Sequence, residues 1–175
     1  FVVRPESNIK KAADLSGNRI ATPQIGNTQD IAFRGYLQAC GLRPKEMGGT
    51  VSILPLRNPE ILNLFMRKQI DGAWVPEPWG ARLVREGGGE VFLDEKTLWK
   101  DGRFCTTLMI VRSDFLKRHP ELVKRWLTAH VEITHWINQH PEESRLVVCN
   151  RIKAISGVFL PKEVVDDAFL RVEAT

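Results

Sequence analysis

The segment Val75-Pro76-Glu77-Pro78-Trp79 constrains the fold more than any other part of this sequence. It follows the apolar run Asp71-Gly72-Ala73-Trp74, which is typical of a short buried strand. Each proline fixes its own φ and lacks a backbone donor, so the strand cannot continue. The chain must turn out of the sheet there, leaving Trp74, Glu77 and Trp79 near a strand's carboxyl end. Ligands bind at that end in open α/β sheets, although a structural turn with two core tryptophans fits the segment equally well.

Strand and helix signals alternate along the first hundred residues. Strands are predicted over residues 19–22, 51–54, 71–75 and 91–93. One helix is predicted to start with Asn27 or Thr28 as its N-cap and to end near the Cys40-Gly41 pair. Another is predicted to start at Asn58-Pro59-Glu60, where the asparagine caps the helix. This alternation is typical of a mostly parallel sheet flanked by helices.

The second half of the sequence has a different pattern. Residues 104–111 predict a single longer strand, and helices are predicted to begin at Ser113, Pro141 and Pro161, with a break at Pro120. Residues 13–102 are therefore predicted to form a complete α/β lobe, while residues 1–12 and 103–175 belong to another body.

Composition excludes several functions. The formal net charge is only +4 and no basic block stands out, which argues against a nucleic-acid partner. No stretch approaches the roughly 20 apolar residues of a membrane helix. The three widely spaced cysteines, Cys40, Cys105 and Cys149, fit neither a disulfide framework nor a metal site, and we expect no metal or other cofactor. A nucleophile elbow and a phosphate-binding loop are both missing, which argues against an enzyme.

The turn Gly26-Asn27-Thr28-Gln29 is the best candidate for an anion site. A helix start leaves backbone N–H groups unpaired and carries a partial positive charge. Gly26 allows a ligand to approach the backbone, and the side chains of Asn27 and Thr28 can donate hydrogen bonds. A plain capped helix fits the same residues. A helix end contributes about 0.3–1 kcal/mol, whereas micromolar affinity needs about 8 kcal/mol, so further donors and aromatic walls are required.

Taken together, these segments resemble the substrate-binding proteins of nitrate-, sulfonate- and taurine-type ABC importers. The resemblance covers essentially the whole chain and is specific for the family rather than for the ligand. The residues that carry it are Asp14-Leu15-Ser16-Gly17-Asn18-Arg19-Ile20-Ala21, Gly26-Asn27-Thr28-Gln29-Asp30, Asn58-Pro59-Glu60-Ile61-Leu62, Gln69-Ile70-Asp71-Gly72-Ala73-Trp74-Val75-Pro76-Glu77-Pro78-Trp79 and Thr106-Thr107-Leu108-Met109-Ile110-Val111-Arg112.

The resemblance implies an α/β fold of the type II periplasmic-binding-protein class, in which two lobes joined by two crossover strands close on a ligand. This chain is expected to hold one complete α/β lobe plus the C-terminal helical part of a second lobe, with crossover strands at residues 1–4 and 104–111. The opening half of the second lobe is expected to lie outside this sequence. We therefore expect weaker ligand binding than in a complete two-lobed protein.

The resemblance also implies a function and a set of site residues. Asn27 and Thr28, beside Gly26, are expected to hold the anionic head of the ligand. Three residues, Trp74, Glu77 and Trp79, are expected to line the cleft, and Thr106 or Thr107 to sit at the hinge. The expected ligand is a sulfonate, taurine or nitrate, delivered to an ABC permease from a periplasmic or extracytoplasmic location; Glu77 keeps an amine-bearing ligand possible.

Three other functions compete with this one. Pyrimidine-synthase relatives of the fold carry a cysteine-rich active site, which three scattered cysteines do not supply. An effector-binding domain of a LysR-like regulator shares the fold, and a truncated remnant without any ligand is the third alternative. Apolar surface left uncovered by an incomplete lobe is expected to favour a homodimer.

Overall fold

A computed structural model describes residues 1–104 and 106–175 of the chain. The chain divides into two compact units, Phe1–Phe104 and Cys105–Thr175. This division lies close to the boundary predicted at residue 102, but residues 1–12 group with the first unit. We predicted that residues 1–12 and 103–175 form crossover strands and a partial second lobe, and this stays a prediction.

The first unit is an α/β unit built on a five-stranded sheet. Its strands are β1 (Val2–Val3), β2 (Arg19–Pro23), β3 (Ser52–Leu56), β4 (Gly72–Ala73) and β5 (Glu90–Val91). Its α-helices are α1 (Thr28–Ala39), α2 (Asn58–Met66) and α3 (Trp79–Arg85). Short 3-10 helices complete it at Pro5–Ser7, Ala12–Leu15, Lys45–Met47, Glu95–Leu98 and Lys100–Gly102.

The sheet has the strand order β3-β2-β4-β1-β5. β2 is parallel to β3 and β4, whereas β1 is antiparallel to β4 and to β5. It follows that β3, β2, β4 and β5 all run in one direction and that their carboxyl ends meet at one edge of the sheet. The predicted, mostly parallel sheet is confirmed.

Helices cover both faces of this sheet, because successive side chains of a strand point to opposite sides. The first face packs against α1 through a cluster that includes Val3, Ile20, Phe33, Leu37 and Trp74. The second face packs against α2 and α3 through a cluster that includes Val2, Ala21, Ile61, Phe65, Ala73 and Leu83. α1 and α3 therefore lie on opposite faces of the sheet.

The second unit is helical in the residues described. Its helices are α4 (Ser113–Arg118), α5 (Pro120–Gln139), α6 (Pro141–Ser156) and α7 (Lys162–Phe169). The predicted break at Pro120 and the predicted start at Pro141 are confirmed, since each proline occupies the first position of a helix, where its missing N–H costs nothing. Over residues 1–104 and 106–175, none of the helices has the length and apolar character needed to cross a membrane.

Two local predictions differ from the structure. Residues 106–112 form neither helix nor strand, and the sheet contains no strand from the predicted run 104–111; Cys105, in the same run, lies outside the described residues. A strand needs a paired neighbour, and none of the strands in the described part of the chain pairs with residues 106–112. Asn58 is the first helical residue of α2 rather than its cap. The Glu60 carboxylate reaches back to accept the Arg57 N–H at 3.2 Å, so an asparagine cap is not required.

Candidate functional site

The topology brings the carboxyl ends of β2 and β4 side by side, with the following helices on opposite faces of the sheet. These two strands are parallel neighbours. The chain leaves β2 through residues 24–27 into α1 on one face, and it leaves β4 through residues 74–78 into α3 on the other face. Parallel neighbours whose following helices lie on opposite faces form the switch point at which α/β sheets bind ligands. The two loops that carry most of the predicted site residues therefore flank one switch point.

The first loop ends in a capped helix start with two unpaired amides. The Oδ1 atom of Asn27 accepts the N–H of Asp30 at 2.9 Å, which leaves the Nδ2 group of Asn27 to donate. The backbone N–H groups of Thr28 and Gln29 find no acceptor among residues 1–104 and 106–175. Asn27 is half-buried and Thr28 is exposed, whereas Gln29 is buried. These groups form the donor set of the candidate site.

Gly26, in contrast, is already paired. Its N–H donates to the Oδ2 atom of Asp30 at 2.9 Å, and its φ of +75° is a conformation that favours glycine. Gly26 therefore shapes the turn rather than offering its amide to a ligand. That Gly26 lets a ligand approach the backbone of the turn stays a prediction.

Asp30 organises the whole turn, and we did not predict this role from the sequence. Its carboxylate is 1% exposed and accepts hydrogen bonds from the Thr22 hydroxyl at 2.9 Å, from Gly26 N–H and from the Arg34 guanidinium at 3.0 Å. Burial raises the pKa of Asp30, but these three bonds outweigh it, so the pKa lies below its ordinary value. Arg34 also bonds Glu46 at 2.6 Å and thereby ties α1 to the segment before β3.

The second loop places Glu77 at the start of α3. The Oε2 atom of Glu77 accepts the N–H of Ala81 at 2.9 Å, so this carboxylate satisfies one of the unpaired amides of the first helical turn. The side chain also folds over Gly80, where an added Cβ would lie 2.9 Å from Oε1. Glu77 is half-buried and its capping role accounts for one of its oxygens.

Trp79 follows Glu77 and remains half-buried. Its ring packs against the cluster on the second face of the sheet. The guanidinium of Arg82 lies over the ring, 4.8 Å from its centroid. This places an aromatic surface and a positive charge beside the loop that follows β4, and the charge is shared with Glu86, whose carboxylate accepts from the Nε of Arg82 at 2.6 Å.

Trp74 is a core residue and we remove it from the candidate site. Its side chain is 1% exposed and its ring lies 5.3 Å from Phe1, 5.7 Å from Phe33 and 5.6 Å from Tyr36, measured between centroids. The expectation that Trp74 lines a cleft does not fit this burial. The side chain points to the α1 face because it follows Ala73, which points to the opposite face.

Thr106 and Thr107 belong to the second unit, where both are exposed and outside regular secondary structure. Their place at a hinge stays a prediction. Within the first unit, the structure thus brings Asn27, Thr28, Glu77 and Trp79 to one edge of the sheet.

Comparison with known proteins places this geometry in a family context. The model of the NMT1-like family matches residues 4–153. The taurine-binding periplasmic protein of Escherichia coli (strain K12) is 31% identical over 149 residues, which are 81% of this chain and 44% of that protein. The nitrate/nitrite binding protein NrtA of Nostoc sp. is 26% identical over 146 residues, which are 83% of this chain and 32% of that protein.

Solved structures show the same fold. The alkanesulfonate-binding protein SsuA from Xanthomonas axonopodis pv. citri, bound to MOPS, aligns with a TM-score of 0.70 at 21% identity, covering 99% of this chain and 55% of that chain. The periplasmic aliphatic sulphonate binding protein SsuA from Escherichia coli aligns with a TM-score of 0.76 at 18% identity, covering 99% of this chain and 54% of that chain. The chain therefore spans about half the length, or less, of the proteins that it matches.

Proposed function

The chain belongs to the NMT1-like family, and from this premise we propose that it binds a small anionic solute of the sulfonate, taurine or nitrate class for delivery to an ABC permease. The named ligands of its relatives, taurine, nitrate and alkanesulfonates, support this class. The periplasmic location of the taurine-binding relative supports the same location for this chain.

One observation carries the proposal: the unpaired N–H groups of Thr28 and Gln29 at the carboxyl edge of the sheet. Sulfonate and nitrate groups are ionised, so their oxygens accept hydrogen bonds. The partial positive charge of the helix start favours an anion there. The Nδ2 group of Asn27 adds a side-chain donor, because only its Oδ1 is used by the cap.

The proposal accounts for the carboxylates that flank the site. Arg34 neutralises Asp30, and Glu77 is bound to the amide of Ala81. Each carboxylate therefore already has donors around it, which reduces its repulsion of an incoming anion. Family membership also favours a binding protein over an enzyme, since the relatives described above are binding proteins.

Substitution of Asn27 tests the anion site while preserving the fold. Asn27→Asp keeps the capping oxygen, so we expect the helix to stay intact, but it places a negative charge against the ligand. We expect at least a tenfold weaker affinity for methanesulfonate, nitrate and taurine, measured by calorimetry or by NMR titration of the chain at high ligand concentration. Asn27→Ser, which also caps a helix, is expected to retain most of the affinity.

Asn63→Asp is the matched control, because it adds the same charge at an exposed position of α2, about 7 Å along that helix from its start. It is expected to leave anion affinity nearly unchanged. Equal affinities in the unaltered chain and in Asn27→Asp would argue that the anion binds elsewhere. Absence of any binding of these three anions by the unaltered chain would contradict the proposed function.

We also propose that the chain self-associates through the second unit. The longest helix of this unit, α5, buries none of its residues. Large apolar side chains at 40% exposure or more lie along α4, α5, α6 and the segment after α6. Apolar side chains exposed in such numbers point to an interaction site or an aggregation hazard. The residues concerned include Leu116, Leu122, Trp126, Leu127, Val131, Ile133, Leu146, Val147, Ile155 and Phe159.

Light scattering across a concentration series tests this expectation. We expect the unaltered chain to form dimers or larger species, and the double variant Leu127→Lys/Val131→Lys to shift the population toward monomer. Met47→Lys, at a 65% exposed position of the first unit, is the control and is expected to leave association unchanged. A monomeric chain at high concentration would refute the proposal.

A further inference from the structure

One carboxylate joins a buried tryptophan to an exposed one in the first unit. The Nε1 of Trp74 donates to the Oε2 of Glu95 at 2.7 Å, and the Nε1 of Trp99 donates to the Oε1 of the same group at 3.4 Å. Glu95 therefore ties the exposed indole to the core side chain that directly follows β4.

The ring of Trp99 is held in place but left open to solvent. It stacks on Phe104 with 5.5 Å between ring centroids and 13° between ring planes. The residue nevertheless remains 49% exposed. A large apolar ring that is fixed by a hydrogen bond and by a stacked neighbour loses little conformational freedom when something binds to it. Trp99 is thus a pre-organised apolar surface.

The ring of Trp99 lies at the edge of the sheet that also carries the candidate site. Trp74 follows the carboxyl end of β4, and the segment that carries Glu95 and Trp99 follows the carboxyl end of β5. Both ends lie at the edge that also carries the loops of Asn27 and Glu77, because these strands run in the same direction. Trp99 therefore belongs to the same edge of the sheet as the donor set of the candidate site.

We propose that Trp99 contacts the hydrocarbon part of an organic sulfonate and so determines specificity by chain length. This inference rests on the proposed function, which supplies the sulfonate group at the start of α1. A small-molecule site combines a few placed polar groups with apolar and aromatic walls. Here the backbone amides are the placed polar groups, and Trp99 is one of the aromatic walls. Each CH₂ group buried against the ring is expected to raise affinity about fourfold.

Two probes of different chain length test this inference in the full chain. The affinities of methanesulfonate and 1-hexanesulfonate are measured by NMR titration, and their ratio is compared among variants. Trp99→Ala is expected to lower the preference for 1-hexanesulfonate at least fivefold with little change for methanesulfonate. Trp99→Phe is expected to restore part of the preference. Met66→Ala is the control, because Met66 is similarly exposed, at 51%, and is the last residue of α2.

The outcomes separate the inference from the function on which it rests. If the unaltered chain binds both probes and Trp99→Ala leaves their ratio unchanged, the role of Trp99 is wrong while anion binding stands. If Trp99→Ala weakens both probes equally, Trp99 supports the fold of the site rather than the hydrocarbon, which also overturns the inference. If the unaltered chain binds neither probe, the proposed function and this inference fail together.

Discussion

Trp74→Ala is expected to lower the free energy of unfolding of the first unit by about 3–5 kcal/mol, the usual cost of removing a buried aromatic ring. The side chain is 1% exposed and its ring contacts the rings of Phe1, Phe33 and Tyr36. Removing it leaves a cavity between α1 and the sheet and leaves Glu95 without the donor at 2.7 Å. Denaturant unfolding followed by circular dichroism measures the loss.

Two comparisons show whether the loss comes from packing. Trp74→Phe keeps an aromatic ring but removes the donor to Glu95, so it is expected to cost less than Trp74→Ala. Trp99→Ala removes the other indole that bonds Glu95, at an exposed position, and is expected to cost clearly less as well. If Trp74→Ala were as stable as the unaltered chain but bound anions more weakly, Trp74 would line the site, as the sequence suggested.

Asp30→Ala is the second substitution with a large expected effect. It removes three hydrogen bonds from a carboxylate that is 1% exposed, and it leaves the guanidinium of Arg34 without its inner partner. Breaking a buried charge pair in this way costs about 3 kcal/mol. We expect that loss of stability in denaturant unfolding, together with weaker anion binding, because Gly26 loses the carboxylate that fixes the turn before Asn27.

Glu46→Ala is the matched control, since it removes the exposed partner of the same Arg34. It is expected to cost much less, because exposed ion pairs contribute little. Similar losses in both variants would show that Arg34, rather than the buried carboxylate, holds the turn.

The pH dependence of stability gives a second readout for Asp30. Its pKa is lowered in the folded chain, so its stabilisation is fully present above the unfolded-state pKa of about 3.9 and is lost as the pH falls through the folded-state pKa. The difference in stability between the unaltered chain and Asp30→Asn is therefore expected to be largest at neutral pH and to shrink below about pH 4. A difference that stays constant into acid would contradict this role.

Features encoded by neighbouring residues were predictable from the sequence. The cap at Asn27, the helix starts at Pro120 and Pro141, and the alternation of strands and helices all follow from side chains within a few positions. The switch-point position of the two loops also follows, once the strands are taken as parallel. For this reason, the sequence predicted that Asn27 and Trp79 lie at the same edge of the sheet.

Features that depend on distant contacts were not predictable in the same way. The burial of Trp74 depends on Phe1 and Phe33, which are far away in the sequence. The role of Asp30 depends on Thr22 and Arg34, although an acid three residues after Asn27 was a signal that could have been followed. The apolar run at residues 104–111 predicts a strand by propensity alone, but no neighbouring strand pairs with it among the described residues.

The central claim is that the loops after β2 and β4 form one anion site, and NMR titration of the ¹⁵N-labelled chain with methanesulfonate tests it most directly. The backbone amides of Thr28, Gln29, Glu77 and Trp79 are predicted to shift together along one binding curve. The amide of Gly41, beyond the far end of α1, is predicted to stay unchanged. Shifts at Thr28 and Gln29 without shifts in the second loop, or separate curves for the two loops, would contradict the claim.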